Sequence, residues 1–194
     1  MPSTPDFQLT RRDLVFSLAL TTLLTLAVSC GILFLARVNI VPFLLTLMAG
    51  VPSSPADWAL IFFAPAIVIA MEWLLFRYVP RRYWFEPIND QLAQKFSLWE
   101  LALIFAMSSV SEELLFRGVL QNLLGFRIAT LLFVVIHVRY LKRALLLLVT
   151  FILACVLGGV YLQSGSLWVV ILCHFLLNMG VITMLKSGKI AQKS

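Results

Sequence analysis

The chain has 194 residues, 61% of them hydrophobic and 12% charged, and its mean hydropathy is +0.99. A soluble domain carries roughly 45 to 50% apolar and 25% charged residues, so the composition excludes an ordinary soluble domain and points to a bilayer. The net charge of +6 does not mark a nucleic-acid partner, because the Lys and Arg residues sit between apolar segments with no basic stripe interleaved with aromatics.

A span needs about 20 mostly apolar residues. Windows of that length give, in chain order, residues 14–35, 58–76, 98 to about 115, 128–137, 144–162 and 167–185. The fourth is too short alone and is expected to extend back toward Leu123. Residues 40–51 are apolar but short, contain Pro42 and are followed by Pro52 and Pro55, which reads as an interfacial or re-entrant segment. The expected fold is therefore all-α, a polytopic transmembrane helix bundle of about six spans.

Two features near the start imitate export signals. Arg11 and Arg12 before an apolar run resemble a twin-arginine signal, and Cys30 after Ala27, Val28 and Ser29 resembles a lipoprotein cleavage site. The apolar run continues past Cys30 to Leu35, longer than a signal-peptide core, so it reads as a retained first span. Cys30, Cys155 and Cys173 all lie in apolar stretches, where a thiol behaves as a small hydrophobe rather than as part of a disulfide framework.

Lys and Arg accumulate on the cytoplasmic side of membranes. With the N-terminus inside, the cytoplasmic segments hold Arg11, Arg12, Arg77, Arg81, Arg82, Lys95, Arg139, Lys142, Arg143, Lys186, Lys189 and Lys193, twelve of the fifteen basic residues. Arg37, Arg117 and Arg127 remain. The expected location is a bacterial inner or plasma membrane, multi-pass, with both termini cytoplasmic.

An ionisable side chain inside a span costs about 2.5 to 3.5 kcal/mol on insertion scales, so it defaults to a functional hypothesis. The third span carries adjacent carboxylates, Glu112 and Glu113, followed by Arg117; the two histidines, His137 and His174, fall in the fourth and sixth spans, with Asn178 one turn after His174. Glu113 and Arg117 are four apart and share a helix face, where an ion pair offsets part of the burial cost. Glu112 is rotated by about 100° from Glu113 and is left without that cation, the kind of carboxylate that can serve as a general base. His174 and Asn178 also share a face. Each has a plain structural reading: an ion pair for Glu113 and Arg117, a membrane-interface residue for His137, interhelical hydrogen bonding for His174 and Asn178. All of them together in one small chain favour a site.

The pattern of Glu112-Glu113 with Arg117, Phe133 with His137, and His174 with Asn178 resembles the three motifs of the CPBP intramembrane endopeptidases, the family of CAAX proteases and bacteriocin-processing enzymes. The flanking residues Phe116 to Gln121, and Gly158 to Trp168, resemble that family's contexts. The resemblance runs from about residue 98 to 184 and divides the chain into N-terminal transmembrane segments without a recognisable motif (1–97), a catalytic helix core (98–185) and a cytoplasmic tail (186–194).

It implies hydrolysis of a peptide bond in a membrane-associated protein or peptide precursor. Glu112 would activate a water with His137 assisting, His174 and Asn178 would donate to the oxyanion, and Glu113 and Arg117 would support the site. A non-catalytic membrane regulator or scaffold of the same family is the alternative.

Other intramembrane chemistries fit less well. Asp6, Asp13, Asp57 and Asp90 lie outside the spans or at their edges, which excludes an aspartyl pair, and no His-Glu-x-x-His motif is present. A serine mechanism through Ser108, Ser109 or Ser111 lacks a glycine-framed motif, and a proton-coupled transporter lacks an inverted repeat in its hydropathy. Two histidines and a glutamate are a known zinc set. Zinc on Glu112, His137 and His174 is thus the alternative to the expected cofactor-free enzyme, whose partners would be the bilayer and a membrane-associated protein or peptide substrate, with no nucleic acid. The sequence carries no signal for oligomeric state.

Overall fold

The computed structural model describes residues 8–140 and 143–187; Lys142, Lys189, Lys193 and the segment 188–194 lie outside the described residues. Its regular elements are helical: α1 (Arg11–Leu35), α2 (Ile40–Ala49), α3 (Pro55–Tyr78), α4 (Pro87–Lys95), α5 (Leu98–Glu113), a π-helical segment (Leu114–Gln121), α6 (Asn122–Leu124), α7 (Phe126–Ile136), α8 (Ala144–Ser164) and α9 (Leu167–Lys186). Three-residue 3-10 turns, Arg81–Tyr83 and Val138–Tyr140, complete the list.

Helix starts follow capping chemistry. Thr10 with Asp13, Ser54 with Asp57 and Ser97 with Glu100 each form a capping box, in which the hydroxyl accepts from the third backbone N–H and the carboxylate reaches back to the cap N–H. Gly165, at φ 63°, ends α8 in the left-handed region that glycine adopts without strain.

Four helices, α1, α3, α8 and α9, are long and apolar enough to cross a membrane. The third expected span does not stop near Leu115: α5, the π segment and α6 follow one another without interruption from Leu98 to Leu124. The fourth does not extend back toward Leu123. Gly125, at φ 84°, separates α6 from α7, which keeps α7 to 11 residues. α2 has 10 residues, about 15 Å of helix, too short to cross the hydrocarbon core.

The buried share of the apolar window rises from 11% in α1 to 44% in α9, so α9 is the axis of the bundle. α3 and α9 come close because Gly180 has no side chain: a Cβ there would lie 2.3 Å from Ile69 Cδ1. One buried cluster joins α3, α8 and α9 through Val68, Leu157 and Val170; another joins α1, α4, α5 and α9 through Leu14, Leu92, Leu101 and Ile182. Outward positions carry exposed Phe16, Leu23, Phe62, Phe63, Leu131 and Val135, the apolar exterior expected of an integral membrane protein. Along α1, Ser17, Thr21, Thr25 and Ser29 each donate to the carbonyl four residues back, which satisfies the hydroxyls within an apolar helix.

Both described ends of the chain are tied to α4. Leu9 N donates to Gln91 Oε1 at 2.8 Å and Lys95 Nζ donates to the Leu9 carbonyl, while Lys186 Nζ donates to the carbonyls of Ala93 and Phe96 at 2.6 and 2.7 Å. At the other end of the bundle Ser166 Oγ donates to the Gly50 carbonyl. Reporters fused before Met1 and after Ser194 should therefore report the same side of the membrane, and the basic residues near α4 predict that side to be cytoplasmic. Reporters on opposite sides would overturn this topology.

Candidate active site

The site grows from a break in helical pitch. The chain passes from α5 into the π segment directly after Glu113, and π-helical turns are frequent at functional sites because they realign side chains relative to a plain α-helix. Arg117 lies inside this segment. Its Nη1 donates to Glu113 Oε1 at 3.2 Å, its Nε stands 3.2 Å from Glu113 Oε2, and its Nη2 donates to the Ala154 carbonyl of α8 at 3.2 Å. The contact at Oε2 is close enough for ion pairing but is not aligned as a hydrogen bond. One turn on, Gln121 Nε2 donates to the Gly158 carbonyl at 3.0 Å, so two side chains of the π segment meet two carbonyls of α8.

Glu113 is fully buried and has a second partner. His174 Nδ1 of α9 lies 2.6 Å from Glu113 Oε1. The sequence pairs Glu113 with Arg117 and groups His174 with Asn178; the structure keeps the first pair and adds His174 to it from across the bundle. A carboxylate accepts, so Nδ1 carries the proton, which leaves Nε2 as the other polar atom of the ring. The Phe133 ring packs against this trio, with the Arg117 guanidinium carbon 4.8 Å from its centroid.

His137 stands at the C-terminal end of α7. Its Nδ1 lies 2.7 Å from the Phe133 carbonyl, an oxygen that can only accept, so the neutral ring carries its proton on Nδ1 and a lone pair on Nε2. Phe133 and Tyr140 flank the imidazole with centroids at 4.7 and 5.7 Å. Gly125 lets α7 start as a new helix rather than continue α6, and the Glu112 of α5 and the His137 of α7 face one cavity as a result.

That cavity, about 440 Å³, is lined by Glu112, His137, His174 and Asn178 together, and also by Tyr140 and by Asn89 of α4. Glu112 is half-buried and accepts a 2.5 Å hydrogen bond from Ser108 Oγ, one turn back. It has no ion-pair partner among the described residues. Asn178 is likewise half-buried and lines the cavity. Among the described residues no group of three His, Cys, Asp or Glu side chains is arranged to hold a metal ion.

Two features were not anticipated. Ser108, a candidate nucleophile by residue type alone, is instead a hydrogen-bond donor to Glu112, an i, i+4 relation already present in the spacing. Glu72 of α3 carries the same kind of signal as Glu112, an ionisable side chain within an apolar span, but no motif marks it; it is 8% exposed and lines the same cavity.

Residues 94–180 match the family model described as type II CAAX prenyl endopeptidase Rce1-like. A Bacillus subtilis (strain 168) protein described as uncharacterized protein YpbD is 31% identical over 113 residues, 58% of this chain and 60% of that protein. The chain thus spans about 60% of the length of the curated relative it matches. No solved structure matches the chain.

Removing one member of a buried ion pair costs about 3 to 5 kcal/mol, because the other charge is left uncompensated. Glu113→Gln should therefore lower thermal stability in lipid nanodiscs by an amount of that order, whereas Glu112→Gln should change it by less than about 1 kcal/mol. Equal losses in the two variants would show that the glutamates do not divide in this way.

Proposed function

We propose, from the match of residues 94–180 to the family model described as type II CAAX prenyl endopeptidase Rce1-like, that the chain is a membrane-embedded endopeptidase acting on a membrane-associated protein or peptide precursor. The observation that carries this reading is the meeting of Glu112, His137, His174 and Asn178 on one cavity, with Glu112, His137 and His174 each held by a partner that suits a different role.

The Glu112 carboxylate takes a proton from a water in the cavity, and the resulting hydroxide attacks the scissile carbonyl carbon. The Ser108 hydroxyl fixes one oxygen of Glu112 and leaves the other for that water. His137, which lines the cavity and has its Nδ1 on the Phe133 carbonyl, assists through Nε2 in holding and relaying the proton. Attack converts the carbonyl oxygen to an oxyanion. Asn178 is a neutral donor to it, and His174 becomes one through Nε2 when its ring is protonated. Arg117 already balances the charge of Glu113, so a protonated His174 gives the trio one net positive charge where negative charge develops. The proton taken from water then passes to the leaving nitrogen, the C–N bond breaks, and a carboxylate and an amine depart.

Glu113 and Arg117 touch no reacting atom in this scheme. They hold His174 in one tautomer and one orientation, as an acidic partner does for a catalytic imidazole elsewhere. The reaction as written uses no metal. Of the zinc alternative's donors, His174 has Nδ1 committed to Glu113, leaving Nε2, while His137 has Nδ1 committed to Phe133.

Membranes of cells expressing wild type or Glu112→Gln should differ in precursor-derived chain ends identified by mass spectrometry, with new ends in wild type alone and equal protein abundance in both. Identical ends would sink the peptidase reading and favour a regulatory role. On a precursor found this way, Asn178→Ala should lower kcat by roughly 10² to 10³ with little change in KM, the loss typical of removing one oxyanion donor.

A purified wild-type enzyme should keep its activity after exhaustive chelation. Activity that chelation abolishes and zinc restores would overturn the metal-free assignment.

A further inference from the structure

Glu72 lies outside residues 94–180 and takes no part in the scheme above. It is 8% exposed, lines the cavity, has an Oε2 without any hydrogen-bond partner, and makes no ion pair among the described residues. A buried carboxylate in that condition carries an uncompensated desolvation cost, which a helix tolerates where the group has a use. The neighbouring wall does not satisfy it. Of the other lining residues, Thr150 spends its hydroxyl proton on the Leu146 carbonyl, Trp84 Nε1 donates to the Val79 carbonyl, and Val181, Ile182 and Leu185 of α9 are apolar. A partner for Glu72 must come from whatever occupies the cavity.

The sign of that partner follows from the rest of the lining. Four carboxylates border the cavity, Glu72, Glu86, Asp90 and Glu112, against one permanently cationic side chain, Arg139, with His137 and His174 as the titratable bases and Tyr140 as the phenol. Asp90 is taken by Arg81 at 3.2 Å and Glu86 by the Asn89 backbone N–H at 2.8 Å. Arg139 is directed to the Tyr140 hydroxyl at 2.9 Å. Complementarity therefore favours a cationic group beside Glu72.

The packing of α3 on α9 gives its depth. The two helices run in the same direction, with Cys173 Sγ donating to the Leu60 carbonyl and Ile69 lying against Gly180. Glu72 is three residues beyond Ile69, and Asn178 is two before Gly180. The axial offset between them is about 7.5 Å at 1.5 Å per residue, toward the α4 end. An extended peptide covers that distance in about two residues.

We propose that Glu72 is a specificity-determining residue that holds a Lys or Arg side chain of the substrate, about two residues from the scissile bond on the side toward α4. The occupant's being a peptide rests on the endopeptidase reading; the cationic preference rests on Glu72 and its surroundings.

The test is a binding measurement that needs no turnover. Two probes, acetyl-Leu-Phe-Lys-Leu-Phe-amide and the same peptide with Gln for Lys, are titrated into wild type, Glu112→Gln and Glu72→Gln in neutral-lipid nanodiscs. In wild type and Glu112→Gln the Lys peptide should bind about tenfold tighter, the scale of one charge-assisted contact. In Glu72→Gln the ratio should fall to within about twofold of unity. Glu72→Met, which keeps the volume and removes an unpaired polar group, should give the same collapse if Glu72→Gln accumulates poorly. A ratio near one in wild type, a ratio that survives in both Glu72 variants, or a ratio lost only in Glu112→Gln would each overturn the proposal. Because cleavage-inactive Glu112→Gln is among the proteins measured, an absence of cleavage by wild type would count against the endopeptidase reading and would not decide this one.

Discussion

Placing a carboxylate with no solvent exposure at the centre of an apolar bundle is the constraint around which the other elements are arranged. Glu113 is tolerable there because Arg117 reaches it from the next turn, and Arg117 in turn is tolerable because the Ala154 carbonyl of α8 takes one of its remaining N–H groups. His174 completes the set from α9. One buried charge thereby joins three helices, and the angle at which α5 and α8 approach α9 is fixed by hydrogen-bond geometry as much as by apolar packing. The arrangement also decides what the imidazole can do, since the carboxylate commits one ring nitrogen and frees the other.

The second half of the site depends on two departures from regular helix. The π segment brings Arg117 and Gln121 onto α8 carbonyls while Glu112, next to Glu113, faces the cavity. Gly125 then lets the chain turn into α7, whose 11 residues deliver His137 part-way through the bundle instead of carrying it across. A straight continuation through residue 125 would place that imidazole on a different helix face and at a different depth.

Much of this could be read from the letters, and the reasons are local. The helical class follows from composition, and the side chains of Glu112, Glu113, Arg117, His137, His174 and Asn178 follow from the cost of putting polar groups in apolar runs. The match of residues 94–180 covers all of them. What periodicity could not supply was the contact between His174 and Glu113, which lie 61 residues apart in sequence and meet only through tertiary packing. The pitch change after Glu113 was also hidden, because a π turn differs from an α turn in hydrogen-bond register and not in residue type. Span ends were misplaced where apolar residues continue through a break, as at Leu123, Leu124 and Gly125. Glu72 was a different case. Its signal is visible as a carboxylate within the apolar run 58–76, but no motif residue stands beside it to mark it as part of a site.

The ladder of hydroxyls on α1 has a bearing on how a guest would be oriented. Thr21, Thr22 and Thr25 line the cavity, and two of them, Thr21 and Thr25, have already given their protons to carbonyls of their own helix. Toward the cavity those two oxygens offer lone pairs only, which leaves Thr22 to supply a proton from that wall. The amide of Asn178 sits across the cavity on α9. The chamber is accordingly two-sided in hydrogen-bonding sense. Individual N–H groups of a guest backbone would find acceptors at Thr21 and Thr25 on the α1 wall and individual carbonyls a donor at Asn178 on α9, so the ladder offers hydrogen-bonding capacity to any backbone without a sequence-specific contact.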